Sequence, residues 1–112
     1  MKRDLIFIEH ILDNIQAIED FAVHSNRTAF KKNRMLQSAI IREIEVIGEA
    51  VKNISPSLKK QYPAIAWNEI ARTRDKMIHH YFGVDLDIVW NIVELELQKL
   101  KKQMKKIRKE IK

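Results

Sequence analysis

Apolar residues recur along this chain at three- and four-residue steps, the period of an α-helix with one buried face. Leu5, Ile8, Leu12, Ile15, Ile18 and Ala22 form such a stripe, with Asp4 placed as an N-cap, and predict a first helix over 4–24. Residues 25–28, Ser-Asn-Arg-Thr, are polar and read as a turn. Leu36, Ile40, Ile44, Ile47, Val51 and Ile54 mark a second helix over 33–54. Gly48 interrupts it at a cost of about 1 kcal/mol relative to Ala, which points to close approach by another backbone. Ser55-Pro56 supplies an N-cap and a first-turn proline for a short helix ending before Tyr62-Pro63.

Trp67, Ile70, Ala71, Arg74, Ile78 and Tyr81 share one face of a third long helix over 66–82, with Gly83 at the expected C′ position. Asp85 then caps a last helix whose stripe is Leu86, Trp90, Val93, Leu97, Leu100, Met104, Ile107 and Ile111. At about 1.5 Å per residue this helix runs roughly 39 Å, long enough to outreach a compact bundle. No strand-like alternation appears, and no internal repeat. The prediction is an all-α, up-and-down, four-helix-bundle-like domain with one extra short helix, occupying residues 1–112 as a single domain. Trp67 and Trp90 fall on apolar stripes and read as core.

Composition narrows the function classes. Two glycines and two prolines in 112 residues leave little material for loops, which agrees with long helices. The absence of cysteine excludes disulfides and thiolate metal sites. No apolar run approaches the roughly 20 residues of a membrane span, and the N-terminus turns charged too early for a secretory signal. A cytoplasmic protein with no membrane association is expected. The net charge of +6 is uneven. Residues 99–112 carry eight Lys/Arg against Glu110, whereas residues 1–98 are near neutral. That basic end reads either as a polyanion-binding stripe or as a solvated helix terminus whose lysines suit the helix dipole.

The candidate chemistry lies in residues 74–81, Arg-Asp-Lys-Met-Ile-His-His-Tyr. Asp75 and His79 are four apart and share a helix face, so the carboxylate can orient the imidazole. Arg74 and Tyr81, seven apart, share a second face about 100° away. A guanidinium fits phosphate oxygens and an imidazole can move protons near neutral pH. Together they meet the needs of metal-free RNA cleavage, in which the ribose 2′-hydroxyl is the nucleophile. By spacing alone the same residues also read as an ion pair, a helix-end histidine and a core tyrosine. His80 reads as a solvent-facing bystander, and His10 and His24 as lacking local partners.

The segment 74–85, which continues Phe-Gly-Val-Asp after the motif, resembles the signature of the HEPN superfamily, and its HepT branch in particular. Residues 41–50, Ile-Arg-Glu-Ile-Glu-Val-Ile-Gly-Glu-Ala, and Trp-Asn-Glu-Ile at 67–70 resemble further segments of that branch. The resemblance covers essentially the whole chain. It implies a helical-bundle homodimer acting as the ribonuclease toxin of a type VII-like toxin–antitoxin pair. Arg74 and His79 would be catalytic, Asp75 would support them, and the motifs of two subunits would face each other across an RNA cleft. The substrate would be tRNA or mRNA. The antitoxin would be an MntA-like nucleotidyltransferase that spends ATP to place AMP on Tyr81, with no cofactor held by the toxin itself. The same resemblance allows a non-catalytic role as substrate-binding or regulatory partner of a small nucleotidyltransferase. The branch often has Asn after the motif Arg. Asp75 instead sets a negative charge beside the expected phosphate site.

Overall fold

A computed structural model describes residues 2–79 and 84–112, apart from the side chains at 74 and 76–79. Among the described residues all regular structure is helical: α1 (Lys2–Ala22), α2 (Arg27–Lys32), α3 (Arg34–Lys52), α4 (Pro56–Gln61), α5 (Trp67–His79), α6 (Leu86–Asn91) and α7 (Leu97–Ile111). A π-helical turn, Ile92–Glu96, joins α6 to α7. The all-α bundle predicted from the apolar stripes is present, with two short helices, α2 and α4, where one was expected.

The stripes make the core. Ile8, Ile11, Ile15 and Ile18 of α1 are buried against Ile40, Ile44, Ile47 and Val51 of α3. Trp90, Val93, Leu97, Leu100, Met104 and Ile107 complete it from α6, the π turn and α7. Each fully buried Ile or Leu contributes roughly 1.5–3 kcal/mol. Helix α3 is the central element, packing on α1 along one side and α5 along another. Trp67 and Trp90 are both buried, as their positions on apolar stripes predicted.

Caps set the boundaries. Asn26 accepts from the Ala29 amide at 2.9 Å and starts α2, so the stretch expected to be only a turn contains a helix start. Helix α1 accordingly ends at Ala22, and His24 lies beyond it in the turn. Asn33 ends α2 and caps α3 through the Leu36 amide. Ser55 and Asp85 cap α4 and α6 as predicted. Asp4, expected as the N-cap of α1, lies instead inside the first turn of that helix. Its buried carboxylate accepts from the Ser55 amide at 2.8 Å and the Ser55 hydroxyl at 2.7 Å, tying α1 to the start of α4.

The last helix does not outreach the bundle. Ile107 is fully buried, and the Tyr62 hydroxyl donates to Glu110 at 2.9 Å. Desolvation, then that hydrogen bond and the charge of Glu110, raise the Tyr62 phenol above its usual range. Within the π turn the Leu97 amide reaches back to the Ile92 carbonyl, and the Trp90 indole donates to Glu94 across it. The turn leaves Leu95 two-thirds exposed. No helix among the described residues is long and apolar enough to cross a membrane.

Candidate functional site

Helix α5 carries the motif, and its start is firmly anchored. Trp67 is buried, and its indole N–H donates to the Tyr62 carbonyl at 3.0 Å. Ile70 and Ala71 lean on the core. The α5-facing side of α3 loses its side chain at the buried Gly48. One turn later on that side, Lys52 crosses to α5.

Lys52 Nζ lies 2.6 Å from Asp75 Oδ1, and both side chains remain more than one-third exposed. The carboxylate next to the expected phosphate site therefore faces a cation from a neighbouring helix. Helix α5 continues through His79, so Arg74, Asp75 and His79 all stand on one helical segment. Asp75 and His79 occupy successive turns of one face, the register the spacing predicted. The side chains of Arg74 and His79 lie outside the described residues, as do His80 and Tyr81 entirely. The expected convergence of Arg74 and Tyr81 therefore falls beyond the described geometry.

The chain re-emerges from the motif under tight control. Asp85 accepts from the amides of Asp87 and Ile88. Arg27 of α2 donates to the Asp87 carboxylate at 3.0 Å, to the Asp87 carbonyl, and to Asn91 at 2.6 Å. Lys31 adds a second cation at 3.1 Å. Hydrogen bonds from Lys31 and then Arg27 hold the Asp87 carboxyl below the usual carboxylate range. Helix α2 thus fixes the start of α6 immediately after the motif.

Residues 11–107 match the ribonuclease HepT-like family, a span that contains the whole motif. The chain belongs to the HepT-like family. It is 42% identical over 103 residues to "Probable ribonuclease HepT" of Thermococcus cleftensis, covering 92% of this chain and 94% of that one. It is 42% identical over 111 residues to "Putative RNase MJ0127" of Methanocaldococcus jannaschii, covering 98% and 92%. A longer protein of that organism, "Gamma-glutamylcyclotransferase and putative RNase MJ0434", is 40% identical over 112 residues. The match takes in 99% of this chain, which spans half the length of that relative. No solved structure matches the chain.

Lys52, which pairs with Asp75, is the residue that sequence reasoning missed. It lies 23 residues before Asp75, and no local pattern joins the two. The available signal was indirect: Gly48 marks the side of α3 where another helix approaches, and Lys52 follows one turn later on that side. His10, read as lacking local partners, makes an edge contact with the Phe7 ring at 6.2 Å between centroids.

Proposed function

We propose that this HepT-like chain is an RNA endonuclease that works without metal, as the toxin of a two-gene pair in the cytoplasm. The observation that carries the reading is the family match over residues 11–107, which encloses Arg74, Asp75 and His79 on one helix. In the proposed reaction His79 removes the proton of a ribose 2′-hydroxyl. The resulting oxygen attacks the adjacent phosphorus, and the bond to the 5′-oxygen breaks. Arg74 balances the charge that builds on the phosphoryl oxygens. A second imidazole, supplied by the other copy in a homodimer, protonates the departing 5′-oxygen. Asp75, held by Lys52, orients His79 along the shared face of α5.

Regulation is proposed to act through the motif tyrosine. An MntA-like nucleotidyltransferase transfers AMP from ATP to the Tyr81 hydroxyl, releasing pyrophosphate and the phenolic proton, and the adduct's phosphate repels RNA from Arg74. The test is cleavage of a labelled RNA by the chelator-treated chain. RNA is cut and the matching DNA is not. His79→Ala lowers the rate by at least about 100-fold, the usual contribution of a positioned acid or base, with helical content unchanged. Cleavage that persists in His79→Ala overturns the mechanism. No cleavage by the parent chain, together with AMP-sized mass increments on Tyr81, supports the non-catalytic partner reading instead.

A further inference from the structure

A cleft of about 530 Å³ opens between α4 and α5, and it is rimmed by Lys59, Lys60, Trp67, Asn68, Glu69 and Arg72. Three cations meet there against one carboxylate. The side chains of Lys59, Lys60 and Arg72 make no hydrogen bond or ion pair among the described residues. Other cations are committed: Arg27 and Lys31 to Asp87, Lys52 to Asp75, Lys101 to Glu19. Unpaired cations gathered in a concave site cost Coulomb repulsion, which a bound anion relieves. Lys59 and Lys60 also lie in the last turn of α4, where they suit the helix dipole. That role does not extend to Arg72, in the interior of α5.

The position of Arg72 links the cleft to the motif. Positions 72, 75 and 79 are spaced i, i+3 and i+7 along α5 and so fall on one face. The span from 72 to 79 is about 10 Å at ~1.5 Å per residue. A polynucleotide lying along this face would pass from the cleft, over Asp75 and its Lys52 partner, to His79.

We infer that the α4–α5 cleft is a phosphate subsite in which Lys59, Lys60 and Arg72 hold the RNA backbone beside the cleavage site. The inference takes its ligand from the ribonuclease reading. The basic outer face of α7 is different. Lys102, Lys105, Lys109 and Lys112 are exposed on or just past α7, none of them lines the α4–α5 cleft, and they serve as the control.

The experiment is equilibrium binding of a 2′-O-methyl oligoribonucleotide, which cannot be cleaved, by the full chain across about 50–200 mM salt. Each phosphate contact to a single strand contributes about 0.7 to the log–log salt slope. Lys59→Gln/Lys60→Gln/Arg72→Gln is expected to lower that slope by about 2 and to weaken low-salt binding at least tenfold. Lys102→Gln/Lys105→Gln/Lys109→Gln keeps the parent slope. Thermal melts of both variants match the parent. An unchanged slope in the cleft variant overturns the inference, as does a loss confined to the α7 variant, or a parent chain with no salt-dependent binding. A parent that binds through the cleft but cuts no RNA sinks the ribonuclease reading and leaves the subsite standing.

Discussion

Two carboxylates on different helices show how this fold separates stability from chemistry. Asp4 of α1 is buried and is satisfied by the neutral N–H and O–H of Ser55. Asp75 of α5 stays 41% exposed and meets a full ammonium, that of Lys52. The first arrangement closes a seam, because a buried anion without its donors is expensive to hold. The second leaves a carboxylate and a cation within reach of solvent, where their mutual attraction is screened and weak. The carboxylate in the core ties two helices together, whereas the one on the motif helix stays open to solvent.

The contrast is sharpest at Asp4. Asp4→Ala strands the Ser55 amide and releases the residue that caps α4, so stability falls by about 2–3 kcal/mol. Denaturant unfolding checks this, and a change below about 0.5 kcal/mol would erase the distinction between the two sites. Lys52→Met should behave in the opposite way. Its stability change stays within about 1 kcal/mol because the pair is exposed. RNA binding nevertheless weakens several-fold as Asp75 loses the Lys52 cation, and Lys52→Arg restores it. Asp75→Asn removes that charge, so combining it with Lys52→Met should cost less affinity than Lys52→Met alone. If the loss is the same with and without Asp75→Asn, Lys52 acts by some route other than neutralising Asp75.

The smallest effect concerns the clamp behind the motif. The Asp87 carboxyl titrates lower folded than unfolded, so its contribution is fully present above the ordinary carboxylate value near 4 and disappears as pH falls through the lower folded value. Asp87→Asn should therefore flatten the acid limb of the melting temperature against pH and leave the curve near pH 7 almost parallel to the parent. An acid limb identical to the parent's would show that Lys31 and Arg27 do not stabilise the charged form.

Much of this was legible in the residues themselves. The stripes on α1, α3 and α7 named the core because a helix that buries one face must repeat its apolar positions at 3.6 residues. Ser55 and Asp85 announced their helices through cap chemistry. Helix α2 was missed because six residues are too few to show a period, although Asn26 carried its cap signal. The π turn was invisible because Trp90, Val93, Leu97 and Leu100 keep steps of three and four straight through it. The motif placed Asp75 and His79 on one face, but its electrostatic partner could not be read. Lys52 reaches Asp75 only because α3 and α5 pack together, and Arg72 shares a cleft with Lys59 and Lys60 only because α4 lies beside α5.

The most direct measurement is the chemistry of the cut ends produced by the metal-free parent chain. Attack by the 2′-hydroxyl predicts a 2′,3′-cyclic phosphate on one fragment and a free 5′-hydroxyl on the other, with both absent from reactions of His79→Ala. Fragments ending in a 5′-phosphate, or cleavage that appears only when a divalent metal is added, would contradict the account.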